Sequence, residues 1–534
     1  MGYHLKFNKT RHGGALMARG VATVMREAQA SPTIRLHPND NVVVARMPLT
    51  RGLELAIEGI VVAEAVPAGH KIAVRAMAQG EAVRKYGQII GFASRAIASG
   101  AHVHVHNVEM RDFARDYRAS EAARATDFAP EAGRAHFAGI VRPNGRVATR
   151  NYIGILTTVN CSATVARHIA DRFRPRDLEA WPNVDGVVAL CHGTGCAMAA
   201  DGEGLMLLRR TLAGYARHPN FAGVLVLGLG CEVNQLASLR EAEGLKTGAL
   251  LQMMTIQETG GTAATVREGA RRVEAMLDQA NAVARVSVPA SELVLGLECG
   301  GSDGYSGVSA NPALGAAADL LVCHGGTAVL GETPEIYGAE HLLTRRAARP
   351  EVAEKLIARV RWWEDYTART GGAMNNNPTP GNKEGGITTI LEKSLGAAAK
   401  GGTTNLVEVY GYAEPIAAKG FVFMDTPGYD PCSVTGMVAG GTNIVCFTTG
   451  RGSVFGCKPV PSLKLATNSP LYQRMEEDMD VNCGAIVDGE TSVEEMGERI
   501  FRFILETASG KKTKSEELGF GDEEFVPWQI GAVM

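Results

Sequence analysis

The chain has 534 residues, with 54 Lys and Arg against 57 Asp and Glu and a formal net charge of −3. At roughly 150 residues per domain, this length implies several domains with ample core. The near-neutral balance gives no electrostatic footprint for nucleic acid or an anionic membrane, and no apolar run reaches the ~18 residues of a transmembrane span.

Ten cysteines are too sparse for a disulfide scaffold, and the N-terminus lacks the apolar stretch of a secretory signal. A cytoplasmic chain with reduced thiols is therefore expected. Residues 1–30 are basic, with Glu27 the only acid. They read as an extension rather than a transit peptide.

From Ser31 to residue 112 the pattern predicts a small, mostly β domain. Thr33–Leu36, Asn41–Ala45 and Lys71–Ala76 are short apolar or alternating runs between Pro, Asn, Asp and Gly. It closes on AHVHVHN, where a strand of period two would turn His102, His104 and His106 to one face and Val103 and Val105 to the other. Residues 113–135 are charged and Ala-rich and read as a linker.

After His136, apolar runs of strand length alternate with helical stretches. Runs at Tyr152–Leu156, Gly186–Leu190, Gly223–Leu227, Leu293–Leu297, Leu320–Val322 and Ala328–Leu330 predict parallel strands joined by crossover helices. A charged helix over Glu340–Thr370 and an exposed loop, NNNPTPGNKEGG, follow. Further runs at Leu406–Val409, Gly420–Met424 and Asn443–Phe447 precede a C-terminal helix at Val493–Ser509. The fold class is α/β: the β domain, then two α/β domains with largely parallel sheets, at 136–395 and 396–534.

Ligands of open parallel sheets bind beyond the carboxyl ends of the strands. Cys161, Cys196, Cys231 and Cys299 fall at such ends, beside Gly, Ser, Asn or an acid. They are candidates for an iron site, a cluster or a reactive thiol, whereas Cys323 and Cys446 read as core. The histidine strand can chelate a divalent ion or move protons. GLGCE, CGGSDG and TTGRG each follow a strand but fit neither the dinucleotide nor the phosphate-loop pattern. Arg451 and Lys383, in Gly-rich loops, are placed to hold a carboxylate; Arg150 and Lys458 are weaker candidates of the same kind.

These loops resemble the altronate dehydratase/galactarate dehydratase family of sugar-acid dehydratases. The matching stretches are GRVATRNYIGILTTVNCSA, HGTGCAM, VLVLGLGCEVNQ, LVLGLECGGSDGYSGVSANPALG, NPTPGNKEGGITTILEKSLG and FTTGRGSVFG. The segment with AHVHVHN resembles the family's β-clip, or SAF, domain. The resemblance implies elimination of water from a hydroxy acid, altronate or a related aldonate or aldarate such as galactarate, to give a 2-keto-3-deoxy acid. It also implies an Fe(2+) requirement, with Mn(2+) or an iron–sulfur cluster as alternatives. A homo-oligomer is expected, with a small-molecule acid as its partner and neither nucleic acid nor membrane.

On this reading His104 or His106 transfers the proton, Lys383 and Arg451 hold the acid, and Ser302, Asp303 and Asn311 meet its hydroxyls. Cys161, Cys231 and Cys299, with Cys196, are the iron-site candidates. Competing readings are a sulfolactate-type sulfo-lyase of the same family, a non-catalytic sugar-acid binding protein and, weakened by the missing GxGxxG, a nicotinamide oxidoreductase.

Overall fold

The computed structural model describes residues 31–113 and 115–533; the expected extension at 1–30 lies outside them. Among the described residues no helix is long and apolar enough to cross a membrane.

The first unit is built from short antiparallel strands. Thr33–Ile34, Val42–Ala45, Lys71–Ala73 and His102–Val103 form one sheet, and Ala82–Lys85, Gln88–Ala93 and Val108–Glu109 another. Its turns demand close backbone approach: a Cβ at Gly100, where φ is +78°, would stand 2.0 Å from the Val61 carbonyl oxygen. Its core of Val42, Ala73, Val83, Ile90 and Val103 is completed by Leu395 and Ala398 from the far end of the chain. The unit is thus docked rather than tethered.

The expected long histidine strand is only two residues, His102–Val103. A turn follows, clasped by Asn107, whose side chain accepts from the His104 N–H (2.9 Å) and donates to the His102 carbonyl (2.8 Å). Val105 is consequently exposed, while Val103 is fully buried. Among the described residues of 113–135 there is one short 3-10 turn, at Glu131–Gly133. They are also pinned down: Arg115 and Tyr117 both bond Glu340, at 2.9 and 2.6 Å.

The second unit is a four-stranded parallel sheet of β1 (Tyr152–Thr157), β2 (Gly186–Leu190), β3 (Phe221–Gly228) and β4 (Leu251–Thr255), in the order β2-β1-β3-β4. Period-two alternation sends Ile153 and Ile155 towards helices α1 (Ala163–Ala170) and α3 (Thr262–Asn281). Tyr152 and Leu156 face α2 (Glu203–Ala216).

The third unit is a seven-stranded, all-parallel sheet. Its strands are β5 (Val294–Cys299), β6 (Thr327–Leu330), β7 (Leu406–Tyr410), β8 (Gly420–Met424), β9 (Ile444–Thr449), β10 (Ser462–Ala466) and β11 (Val481–Asn482). They run in the order β7-β8-β6-β5-β9-β10-β11. Helices α4 (Ala310–Cys323), α5 (Ile390–Ala398), α6 (Asp430–Gly440) and α7 (Val493–Ala508) belong to this unit. The domain break expected between residues 395 and 396 falls inside α5, and the strands on either side of it share this one sheet. The expected strand Leu320–Val322 is the last turn of α4, since three apolar residues continuing an Ala- and Leu-rich run extend the helix they belong to. The expected helix over Glu340–Thr370 is two, His341–Thr344 and Pro350–Arg369. Pro350 starts the second of these, and proline disfavours helix in the residue before it.

The second and third units share a core in which Leu208 and Leu212 of the second lie with Val422, Val445 and Phe447 of the third. At Gly214 of α2 a Cβ would stand 2.3 Å from the Ala439 carbonyl oxygen of α6. Arg150, a candidate carboxylate binder by sequence, is instead a buried staple. It donates to the carbonyls of Thr149, Thr507 and Lys511 and pairs with Glu516 at 2.6 and 2.8 Å. Arg150→Met should therefore lower stability by about 3–5 kcal/mol, the cost of breaking a buried ion pair, with KM unchanged. Denaturant midpoints alongside steady-state kinetics would check this. Lys458 pairs with Asp522 at 2.8 Å, away from the sites described below.

Candidate functional site

Strand order in the seven-stranded sheet reverses at β5, which lies between β6 and β9. This switch point opens a crevice beyond the carboxyl ends. Asp303 lies in the loop after β5. It is buried, and its carboxylate accepts from the Tyr305 N–H (3.1 Å), Ser306 Oγ (3.0 Å), Thr467 Oγ1 (3.0 Å) and Asn468 Nδ2 (3.0 Å). Against the expectation of substrate contact, Asp303 is saturated and ties the β5 loop to the β10 loop. It also explains a glycine of TTGRG: a Cβ at Gly450 would stand 2.1 Å from Asp303 Cγ. Asn311 is likewise committed, donating to the Gly396 carbonyl (2.9 Å) and accepting from Thr448 (2.7 Å). Ser302, Asp303 and Asn311 do share a small cavity with Lys85, Tyr86 and Glu392.

The β unit sets a histidine cluster against this edge. His70, His102 and His104 each bring one ring nitrogen within 4.8 Å of the others. His70 Nε2 donates to the Glu384 carbonyl at 3.0 Å, so its Nδ1 accepts from His102 Nε2, also at 3.0 Å. Burial is the main cause that lowers all three pKa values, with neighbouring His and Lys71 charges adding to it: His102 falls to about 4 and His104 to about 3. The rings are therefore neutral near pH 7. His104 Nδ1 is buried and has no hydrogen-bond partner, which is a ligand atom's situation. Three neutral imidazoles with one unused nitrogen suit a borderline divalent ion such as ferrous iron. His106 is exposed, its ring 5.3 Å from that of His102.

Glu384 joins the cluster to Arg451. Its carbonyl meets His70, and its carboxylate meets Arg451 at 3.2 Å. Both side chains are well exposed, so the pair is worth only about 0–1 kcal/mol and is readily exchanged for a ligand carboxylate. Lys383 precedes Glu384 on the short helix Pro380–Glu384. The structure thus brings together His102, His104 and His106 and links them through His70 and Glu384 to Arg451, with Lys383 next to Glu384 in the chain.

Beneath them lies a buried triad. Glu392 of α5 pairs with Lys71 at 2.8 Å and Lys85 at 3.0 Å. Burial works against its charge, but the two ammonium groups hold the carboxyl well below its usual range. Lys71 also donates to the Gly386 carbonyl, and Lys85 to that of Gly304 (3.3 Å). The triad clamps the β unit to the PGNKEGG segment and to the β5 loop.

A second buried group contains Glu298, Cys299, Glu332, Glu335 and Asp430. Burial, then the facing Glu332, pushes the Glu298 carboxyl well above its usual range. Against burial, Lys400 holds Glu332 ionised at 2.9 Å, and Lys393 pairs with Glu335 at 2.6 Å. Burial and then Glu332 keep the Cys299 thiol protonated, 3.4 Å from Glu332 and 3.3 Å from Glu335. Cys299, buried at the end of β5, is not with the other sequence-chosen cysteines: Cys161, Cys196 and Cys231 are exposed on the four-stranded sheet of the second unit.

This three-unit plan is matched by three family models. Residues 31–111 match the altronate/galactarate dehydratase SAF domain, 139–281 the second domain of D-galactarate dehydratase/altronate hydrolase, and 290–533 the D-galactarate/altronate dehydratase C-terminal domain. The altronate dehydratase of Bacillus subtilis is 35% identical over 493 residues, covering 91% of this chain and 97% of its own. The chain belongs to the D-galactarate/altronate dehydratase family. It is accordingly an enzyme of the hydro-lyase type. Two further family members, from Escherichia coli, align as fully. Altronate dehydratase is 36% identical over 91% of this chain and 97% of its own, and galactarate dehydratase (L-threo-forming) is 36% identical over 93% and 97%.

The candidate site contains residues that sequence reasoning missed. His70 stands 32 positions before His102 and shares no motif with it, so no spacing signal existed. Lys71, Lys85 and Glu392 had a weak one, because a charge inside an apolar stretch such as HKIAV or ITTILEKSLG must be paired if that stretch is buried.

Proposed function

We propose that this dehydratase removes water from a sugar acid, altronate or a related aldonate or aldarate such as galactarate, giving a 2-keto-3-deoxy acid. The observation that carries the reading is the convergence of the neutral histidines, including the unpartnered His104 Nδ1, with Arg451 across Glu384. His70, His102 and His104 would hold a divalent ion of the ferrous or manganous type. When bound, such an ion supplies Lewis-acid stabilisation of negative charge on the acid.

The chain's own residues do the rest. Arg451 leaves Glu384 for the substrate carboxylate, and Lys383 adds a second cation beside it. This favours removal of the proton α to that carboxylate, because the departing proton leaves its charge on a group already held by cations. His106, exposed next to the cluster, takes that proton. The electron pair of the broken C–H bond forms the double bond as the β-hydroxyl departs as water, taking up the proton that His106 holds, and the enol then ketonises.

Arg451→Ala should raise KM by about 10- to 100-fold, the equivalent of a charge-assisted contact worth about 1.5–3 kcal/mol. Arg451→Lys should recover part of it. Initial-rate kinetics on both variants would check this. The reaction itself is tested by assaying anaerobically purified protein with ferrous iron on a panel of aldonates and aldarates for 2-keto-3-deoxy acid. Turnover of none, with iron bound, would overturn the proposal. Sulfite release from sulfolactate would move the chain to the sulfo-lyases, and tight sugar-acid binding without reaction to a binding role.

A further inference from the structure

Three cysteines unused by the site above stand together on the second unit. Cys196, Cys161 and Cys231 follow β2, β1 and β3, which are adjacent in the sheet. Neighbouring strands lie ~4.8 Å apart, so their carboxyl ends fall within about 10 Å. All three thiols are free and exposed, although cysteine is among the most buried residue types.

Their loops are laced into one rigid rim. The Asn160 N–H donates to the Thr194 carbonyl (3.0 Å) and the Asn234 N–H to that of Gly195 (3.0 Å). The Asn234 side chain donates to the Thr158 carbonyl (3.2 Å). Buried Glu232 accepts from Thr158 Oγ1 (2.6 Å) and from the N–H groups of Gly230 (2.6 Å) and Leu229 (3.2 Å). At Gly195, where φ is +103°, a Cβ would stand 2.1 Å from the Thr158 carbonyl oxygen. Ala197 has φ +52°, so Cys196 sits between two left-handed residues. Backbone strain of this kind persists where surrounding structure fixes it, and it concentrates at ligand clamps. Beside Cys231 an open hollow of about 400 Å³ is lined by Gly230, Glu232, Gln235 and Gln257.

Among the described residues, the groups whose ligand atoms lie within 4.8 Å of one another do not include these thiols. A single ion would need them that close, whereas a multi-iron cluster spreads its thiolates more widely. We infer that Cys161, Cys196 and Cys231 hold a four-iron, four-sulfide cluster, with one iron left without a protein ligand. It is a second metal centre, separate from the histidines and independent of which acid the enzyme takes.

The test is anaerobic reconstitution of the full chain with ferrous iron and sulfide. The wild type should bind about four acid-labile sulfides per chain, with broad visible absorption bleached by dithionite. Cys161→Ser, Cys196→Ser and Cys231→Ser should each lose more than half of the sulfide and absorption, and the triple variant all of it, with unchanged far-UV circular dichroism. Cys323→Ser, at the end of α4, should keep both. Retention of the cluster by the triple variant, or a wild type that binds no acid-labile sulfide, would overturn the inference. Sulfide and absorption are read without any substrate, so failure of the sugar-acid assay leaves this result standing.

Discussion

Glu392→Gln should destabilise the enzyme by about 3–5 kcal/mol, because it leaves two buried ammonium groups without their shared carboxylate. Lys71 and Lys85 reach no other carboxylate in this triad, and Lys71 is buried completely. Burial already lowers its pKa to about 8, so without Glu392 it should shed its proton. The first unfolding transition, in heat or urea, is the measurement. Replacing the whole triad by Met should cost less than the single change, since it removes the uncompensated charges together with their partner. A single variant as stable as the wild type would show that the triad does not hold the β unit in place.

The pH dependence has a definite sign. The Glu392 carboxyl is depressed in the folded state. Its stabilisation is therefore fully present above the unfolded value of 4.5 and is lost as pH falls below it. The gap between wild type and Glu392→Gln should narrow in acid below about pH 4.

His104→Ala and His106→Ala should separate metal holding from proton transfer. His104 has a buried, unpartnered Nδ1 within the three-histidine group, whereas His106 is exposed at its side. Both variants should lose turnover by about 100-fold or more, the usual worth of a general acid–base group. Only His104→Ala should also lose its divalent ion, counted by metal analysis after gel filtration of protein desulfurated to remove any cluster. His104→Ala protein that keeps the ion would remove the histidines as its ligands. His106→Ala protein of undiminished kcat would remove His106 as the base. Because both residues lie on the turn clasped by Asn107, circular dichroism should accompany the kinetics.

Much of the α/β architecture was legible because buried parallel strands are continuous apolar runs. Gly186–Leu190 and Gly420–Met424 are strands with those bounds, each bracketed by polar or Gly-rich loops. The same local signal misread Leu320–Val322, where an apolar run belonged to an all-round buried helix; periodicity cannot separate the two when every face is covered. Arg451 follows the end of β9 in its Gly-rich loop, whereas Lys383, expected in a loop, lies on the short helix Pro380–Glu384, whose Thr379 cap and Pro380 start a helical turn.

What the sequence by itself determined is the set of elements, the family motifs and the chemistry available at each loop. Only the tertiary structure decided which of those residues meet. Pairing of strands within the β unit brings His70 to His102, and docking of that unit on the rest of the chain brings His70 to Glu384, 314 positions away. Burial in one shared crevice converts Asp303 from an expected substrate contact into a saturated brace. Sheet membership separates Cys299 from Cys161, Cys196 and Cys231, although all four follow strands. In each case the deciding energies are desolvation and hydrogen-bond satisfaction between segments far apart in the chain, and a local pattern carries no record of them.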